Sequence, residues 1–169
     1  MDSPLAFRYR RGSRMVTENK PSAFVVRSGE DRHAAPLNFL NGRFDCKISG
    51  SDTAGALCAY DTWRFKPGGP PLHLHFEQDE WFQVLEGRFR FQVGDEAYEL
   101  GPGDSILGPR GIPHAFRNVT ETARMMVTFI PAGRMEAFFA TQMVDPTSEA
   151  FRELSLKHGM QVVGPPLPP

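Results

Sequence analysis

The sequence predicts an all-β fold, an antiparallel sandwich or barrel of short strands with helices only near the C-terminus. Sixteen glycines and fifteen prolines occur among the 169 residues, and 14 of these turn-forming residues fall within residues 67–113. Between them, apolar and polar residues alternate over short runs, the pattern of strands that bury one face. A chain of this length is expected to form one compact domain with a sizeable core.

The predicted strands begin after a polar, arginine-rich N-terminal arm, residues 1–22, which is expected to be flexible. In one strand Phe89, Phe91 and Val93 alternate with polar residues, and Gly94-Asp95-Glu96 follows as a hairpin turn. Apart from the stretch around His73 and His75, the predicted strands are 23–27, 43–49, 54–65, 80–85, 88–93, 97–100, 105–107, 115–117 and 124–130. They place a barrel over residues 23–131.

The periodicity changes from two to about 3.6 residues after Pro131. One helix is predicted over residues 133–143, and Asp145-Pro146 starts a second that runs to about His158. Residues 132–160 are therefore expected to be helices that pack on the barrel. The remaining residues, 161–169, form a proline-rich, extended tail.

Composition excludes several classes of partner. The net charge is −1, so the chain lacks the basic excess that binds a phosphate backbone, and no nucleic-acid partner is expected. No stretch approaches the ~18 apolar residues of a membrane span, so no membrane partner is expected either. Cys46 and Cys58 form neither a CxxC pair nor a disulfide framework. Reduced thiols and a cytoplasmic location are the expectation.

The chemistry is carried by three histidines and one carboxylate. His73 and His75 alternate along a strand, so their imidazoles face the same side and can bind one metal ion. Glu80 follows five residues later, and His114 lies on a turn-and-strand unit about 40 residues from the pair. Three imidazoles and a carboxylate form a ligand set for a divalent metal. The alternative is a fold that uses these polar residues structurally.

Two motifs around these residues resemble those of the cupin superfamily. The stretch HLHFEQDEWFQVLEG, residues 73–87, is similar to the first cupin motif, and GDSILGPRGIPHAFRN, residues 103–118, is similar to the second. One departure occurs at Pro67, where the family has a glycine and this chain has Gly68 and Gly69 instead. The resemblance implies a jelly-roll-like antiparallel β-barrel.

The resemblance also implies the site. Carried over position by position, the metal ligands are His73, His75, Glu80 and His114, and Glu80 doubles as a catalytic proton acceptor. The spacing favours Glu80 over Glu77 and Asp79, which are expected on a solvated loop. The cofactor is one divalent transition metal, with Fe, Mn, Ni, Co, Cu and Zn all compatible with the ligand set.

The layout resembles small bacterial cupins similar to quercetin 2,3-dioxygenase, which implies a metal-dependent dioxygenase. Its expected substrate is a small, largely apolar or aromatic oxygenated molecule, because many aromatic side chains fall in or near the predicted strands. These are Trp63, Phe65, Phe76, Trp81, Phe82, Phe89, Phe91, Phe116 and Phe129. The alternatives are a non-redox isomerase, lyase or cyclase, and a non-catalytic small-molecule-binding cupin.

Other features are interpreted structurally. Gly103-Asp104-Ser105-Ile106 has the letters of an esterase box, but the chain lacks the Asp-x-x-His partner, so Ser105 is expected to be an ordinary strand residue. His33 and His158 lie outside both motifs and are expected at the surface. Asn118 is expected to tie down backbone. A homodimer is expected, formed by residues 23–27 adding a strand to a neighbouring sheet.

Overall fold

Two antiparallel β-sheets face each other in the computed structural model, which describes residues 22–141 and 145–169. The strands are β1 (Leu37–Phe39), β2 (Gly42–Ile48), β3 (Cys58–Arg64), β4 (Pro71–His75), β5 (Asp79–Glu86), β6 (Phe89–Val93), β7 (Glu96–Leu100), β8 (Ser105–Gly108), β9 (His114–Asn118), β10 (Ala123–Ile130) and β11 (Met160–Pro166). Two short helices, α1 (Met135–Phe139) and α2 (Glu149–Lys157), lie between β10 and β11. The predicted all-β class is confirmed.

The predicted jelly-roll-like antiparallel arrangement is confirmed, although the two sheets do not close into one continuous barrel. One sheet has the strand order β1-β2-β3-β10-β5-β8 and the other β11-β4-β9-β6-β7. Among the described residues, no pair of hydrogen-bonded strands links one sheet to the other. The arrangement is jelly-roll-like. The edge strands therefore stay open, because closure requires pairing across the two sheets.

The core lies between the sheets and follows the period-two pattern of the sequence. In β5, Glu80, Phe82 and Val84 are buried while the residues between them are partly exposed. Phe82, Phe91 and Phe116 contact one another through tilted and edge-to-face rings. Aromatic rings of this size bury large apolar areas and supply most of the driving force for stacking the two sheets.

The observed hairpin between β6 and β7 is the predicted one. Val93 pairs with Glu96, which leaves Gly94 and Asp95 as the two-residue turn. Gly94 has a φ of +60°, the left-handed conformation that tight hairpins of this length require. The alternation of Phe89, Phe91 and Val93 before the turn, together with Gly94-Asp95, made this element predictable.

The start and the end of the fold differ from the prediction. The strand predicted at residues 23–27 does not form within this chain. Residues 1–21 of the predicted N-terminal arm lie outside the described residues. The end of the expected barrel at Pro131 leaves out β11, which pairs with β4 in the second sheet. Part of the expected proline-rich tail is therefore a strand. Its prolines are tolerated because β11 is an edge strand with one side unpaired.

The helices are shorter than predicted and cover one opening between the sheets. Helix α1 spans one turn and buries Phe138 and Phe139, whereas Met143 lies outside the described residues. Helix α2 begins after Ser148, whose side-chain oxygen accepts a hydrogen bond from the Phe151 N–H. Across the described ranges, the helices are too short and too polar for any of them to cross a membrane.

Candidate metal site

The four predicted ligands converge from three strands. His73 and His75 lie on β4, Glu80 is the second residue of β5, and His114 begins β9. His73 pairs directly with His114 across the β4–β9 ladder, and His75 shares its face because it is two residues further along β4. Glu80 reaches the same space from the opposite sheet.

The ligand atoms of this cluster all lie within 4.8 Å of one another. Oε2 of Glu80 is 3.0 Å from Nε2 of His114, 3.1 Å from Nε2 of His75 and 3.8 Å from Nε2 of His73. All four side chains are largely buried, and His75 is fully so. The three imidazoles thus present the same ring nitrogen to one carboxylate oxygen.

The opposite ring nitrogen of each histidine faces an oxygen. Nδ1 of His73 is 2.8 Å from the Pro71 carbonyl, and Nδ1 of His114 is 2.9 Å from the Ile112 carbonyl. A carbonyl oxygen only accepts hydrogen bonds, so Nδ1 carries the proton and Nε2 of a neutral ring carries a lone pair. Lone pairs aimed at a carboxylate require a cation among them, a proton or a metal ion. The donor set therefore fits a divalent metal.

Burial and hydrogen bonding act in opposite directions on the pKa of Glu80. Burial raises the pKa, but the hydrogen bonds with His114, His73 and His75 outweigh it and hold the pKa well below its usual value. Burial also lowers the pKa of the His73 imidazole. For His114, burial lowers the pKa, but the Glu80 carboxylate outweighs this and the net direction is upward. Glu80 is thus ionised near neutral pH, as a metal ligand must be.

Gln78 completes the support of the site and was not identified from the sequence. Its Nε2 donates to the carbonyls of Pro131 and Ala132, at 3.1 and 2.8 Å, so its Oε1 turns toward Nδ1 of His75 at 3.4 Å. Only 4% of Gln78 is exposed. The one sequence signal was its position in the loop between the His pair and Glu80, which two other polar residues share.

Close backbone approach at Gly108 also shapes the site. Gly108 pairs with Glu80 across the β5–β8 ladder. A Cβ at this position would lie 3.0 Å from Nδ1 of His114 and 3.1 Å from the adjacent ring carbon. Glycine therefore lets β8 pass beside the imidazole, a role that the glycine-rich second motif does not specify by spacing alone.

An apolar cavity extends from the ligand cluster between the sheets. His73, His75 and Glu80 line one part of it, and Arg64 lines it as well. Of the aromatic residues expected to form pocket walls, Phe116 and Phe129 do so; Phe65 and Phe76 are exposed. Most of the remaining rings come from elsewhere: Phe39, Phe44, Phe138, Phe139 and Phe151. The C-terminal helices thus contribute to the cavity.

The rival residues lie outside the cluster. Glu77 is exposed, and Asp79 is bound by Arg110, with Oδ2 2.7 Å from Nη2. His33 is exposed, and His158 is half-buried with Nδ1 on the Leu154 carbonyl. Ser105 is an exposed residue of β8, as expected.

Two further expectations concern supporting residues. Asn118 ties backbone, because its Oδ1 accepts from the Gly68 N–H and its Nδ2 donates to the Thr120 carbonyl. Cys46 and Cys58 are both buried free thiols. A second group of His33, Cys46 and Glu136 also brings its ligand atoms within 4.8 Å. Burial raises the pKa of the Cys46 thiol to about 12, which disfavours the thiolate that a metal needs.

Comparison with known families agrees with this geometry. Residues 61–131 match the model of the cupin domain family. Residues 61–131 are thus a match to a cupin domain. The matched segment contains all four residues of the cluster. The two facing sheets of the structure are the arrangement that the two sequence motifs predicted.

Curated relatives of the cupin domain match over about a third of this chain. An uncharacterized protein of Streptomyces coelicolor is 35% identical over 54 residues, which is 32% of this chain and 51% of the relative. Quercetin 2,3-dioxygenase of Bacillus subtilis is 34% identical over 56 residues, 33% of this chain and 17% of that enzyme. An oxidoreductase of Beauveria bassiana is 41% identical over 49 residues, 28% of this chain and 16% of it. The chain thus spans about half or less of these relatives.

Solved structures share the fold at low sequence identity. A protein described as a nucleoside dehydratase has a TM-score of 0.52 and 14% identity over 68% of this chain and 88% of its own. A variant of Bacillus subtilis oxalate decarboxylase has a TM-score of 0.51 and 20% identity, covering 58% of this chain and 27% of the decarboxylase. These likenesses establish the cupin fold and nothing finer.

Proposed function

We propose that the protein binds one divalent transition metal through His73, His75, Glu80 and His114. The supporting observation is that three imidazole Nε2 atoms face one ionised carboxylate oxygen, while two Nδ1 atoms are held by carbonyls and the third by Gln78. Three neutral imidazoles and one carboxylate leave a net positive charge on a divalent ion, which favours an anionic oxygen ligand. A metal bound there would supply Lewis-acid and redox chemistry.

The reaction proposed is a dioxygenation of a small, largely apolar or aromatic substrate. The cavity beside the ligands is narrow, with a volume of about 50 Å³, and its walls include Phe116, Phe129 and Phe138. This apolar lining favours an apolar or aromatic group over a polar one. The local similarity to quercetin 2,3-dioxygenase and to a second oxidoreductase supports this class over the others that cupins host.

Within this reaction the residues of the chain bind, orient and move a proton. The aromatic walls hold the substrate body and exclude water. Glu80 lines the cavity and, in this proposal, accepts the proton of a substrate hydroxyl as well as binding the metal. Gln78 and the Pro71 and Ile112 carbonyls keep the histidine rings oriented.

Metal analysis of untagged protein tests the site. We expect about one transition-metal ion per chain, and loss of most of it in a His73→Ala/His75→Ala double variant. His158→Ala is the matched control, since His158 lies outside the cluster and must leave the metal content unchanged. Full metal occupancy in the double variant would reject the ligand assignment.

Oxygen uptake then tests the reaction. The metal-replete protein should consume dioxygen with at least one member of a panel of flavonols, other enediol-like compounds and hydroxylated aromatic acids, and chelation should abolish the uptake. Turnover that proceeds equally well with Zn²⁺ and without dioxygen would instead support a non-redox isomerase, lyase or cyclase. Thermal stabilisation by such compounds without any product would support a binding protein.

We also propose a homodimer in which residues 23–27 add to a neighbouring sheet. Phe24 is 42% exposed and Val25 78% exposed, and this segment is outside the strands of its own chain. Open sheet edges are available because the two sheets do not close. Deletion of residues 1–30 should convert a dimer to a monomer by light scattering; a dimeric deletion variant would reject the proposal.

A further inference from the structure

Arg64, at the end of β3, is the most buried cation of the described chain and lacks a counter-ion there. Only 1% of the residue is exposed. Its Nη2 donates to the Leu40 carbonyl, while Nε and Nη1, which carry three N–H bonds, have no partner among the described residues. No carboxylate of the described residues pairs with it, and burial lowers its pKa to about 10.

The guanidinium lies beside the same cavity as the candidate metal ligands. Arg64 lines the cavity together with His73 and Glu80. The Phe116 ring centre is 5.9 Å from its Cζ, and Phe116 shares a face of β9 with His114 two residues away. Phe116 therefore neighbours the guanidinium and lies on the same strand face as His114. The lining of the cavity thus includes a cation with unpaired N–H groups, three of the candidate metal ligands and many apolar side chains.

A buried charge without a counter-ion is costly in the folded protein. The described neighbours offer little compensation, because Arg64 makes one side-chain hydrogen bond, to the Leu40 carbonyl, and lies over the Phe116 ring. A guanidinium with free N–H groups in an apolar pocket matches an incoming carboxylate in charge and in hydrogen-bond geometry. The other arginines close to the site differ, since Arg110 already pairs with Asp79.

We propose that Arg64 binds the carboxylate of the substrate, so that the substrate is a small acid with an apolar or aromatic body and a second oxygen at the metal site. This inference rests on the proposed function for the role of the second oxygen. The carboxylate supplies the charge and the acceptors that Arg64 lacks, and the length of the apolar body sets which acids reach both ends. Arg64 is thus the residue that selects acids over their neutral analogues.

Binding of carboxylic acids of increasing size, from acetate and butyrate to benzoate and 4-hydroxycinnamate, tests the proposal, because the cavity that Arg64 lines has a volume of only about 50 Å³. Each acid is titrated beside its primary amide into the metal-loaded protein by calorimetry. At least one acid should bind at least tenfold more tightly than its amide, and Arg64→Met should remove that preference. Arg88→Met is the control for net charge, since Arg88 is 62% exposed in its side chain on the rim of the second sheet and must leave acid binding unchanged.

A merely structural Arg64 would give a different result. Because the free protein buries an uncompensated charge, Arg64→Met should keep or raise the melting temperature while losing acid binding. If no acid binds in preference to its amide, or if Arg64→Met binds the acids as the parent does, the proposal is overturned. If Arg64→Met fails to fold, Arg64→Lys is the second variant. Lysine keeps the positive charge but lacks the planar pair of N–H donors that binds a carboxylate, so acid binding should weaken.

Metal content separates this proposal from the previous one. Arg64→Met should retain the full metal stoichiometry, because Arg64 is not a ligand. Arg64-dependent acid binding in a protein that takes up no metal would reject the metal site but keep the carboxylate site. A full metal complement without Arg64-dependent acid binding would support the metal site and reject the carboxylate site.

Discussion

Gln78 Oε1 lies 3.4 Å from Nδ1 of His75, and two backbone carbonyls prevent the amide from turning away. The carbonyls belong to Pro131 and Ala132, more than 50 residues along the chain. One side chain thus connects the second histidine of the cluster to the segment that leads into α1. A ligand held through its second nitrogen keeps its tautomer and its orientation.

Replacement of this amide should weaken metal binding. Gln78→Leu keeps the approximate volume but removes the acceptor for His75 Nδ1 and the two donors. We expect the metal dissociation constant to rise about 10- to 100-fold, the range measured when such supporting hydrogen bonds are removed. Competition with a chromogenic chelator measures this. The control is Gln92→Leu, whose amide bonds only to Gly94 nearby; equal affinities for both variants and the parent would contradict the role assigned to Gln78.

A methyl group at Gly133 should disturb the same contact. Gly133 has a φ of +54°, and a Cβ there would lie 2.5 Å from Gln78 Nε2. Gly133→Ala should therefore lower both the melting temperature and the metal affinity. Gly29→Ala is the matched control, since Gly29 has a φ of +75° and open space around it. It should lose only the roughly 1 kcal/mol of left-handed strain, with unchanged metal affinity.

Asp31 should give the fold a pH dependence on the acidic side. Burial raises its pKa, but hydrogen bonds from the N–H groups of Ala35, His33 and Cys46 outweigh burial and lower it. A lowered pKa means that the stabilisation is complete above the unfolded value of about 3.9 and is lost as the pH falls below it.

The matching variant is Asp31→Asn, which cannot accept all three hydrogen bonds. We expect it to lower the free energy of unfolding by about 1–2 kcal/mol at pH 7. Urea titrations at several pH values should show that the difference in free energy of unfolding between Asp31→Asn and the parent becomes smaller below pH ~4. A difference that stays constant from pH 7 to pH 3 would show that the carboxylate charge of Asp31 does not matter.

The two cysteines should be inert in the native state. Burial raises the pKa of both Cys46 and Cys58 to about 12. At pH 8 only about one thiol in 10⁴ is then ionised, and the thiolate is the reactive form. Ellman's reagent should label neither cysteine in the folded protein and both in 6 M guanidinium. Rapid labelling of either residue without denaturant would contradict their burial.

Much of the site could be predicted because its ligands follow local rules. His73 and His75 share a face through the two-residue period of a strand, and Glu80 starts another strand with its own clear alternation. Only His114 had to be brought in from a distance, and its glycine- and proline-rich turn marked it. The strands with strong alternation were likewise predicted to within a few residues.

The features that escaped prediction depend on long-range contacts. Gln78 is held by the carbonyls of Pro131 and Ala132, which are more than 50 residues away in sequence. The Nε and Nη1 groups of Arg64 are unpaired because no acceptor among the described residues lies near them in the fold. Strand β11 pairs with β4 across some 85 residues of sequence, and its prolines read locally as an extended tail. A local pattern carries no record of such partners.

Strand β11 also affects when the cluster can be assembled during synthesis. Strand β4, with two of the four ligands, has β9 on one side and β11 on the other; Met160 pairs with His75 and Val162 with His73. Chains emerge from the ribosome N-terminus first. All four ligand residues are therefore synthesised well before Met160 and Val162 of β11, which pair with His75 and His73. A nascent chain stopped before residue 160 would carry all four ligands, but β4, which holds His73 and His75, would have one unpaired edge. We therefore expect stable metal loading only after β11 has left the ribosome.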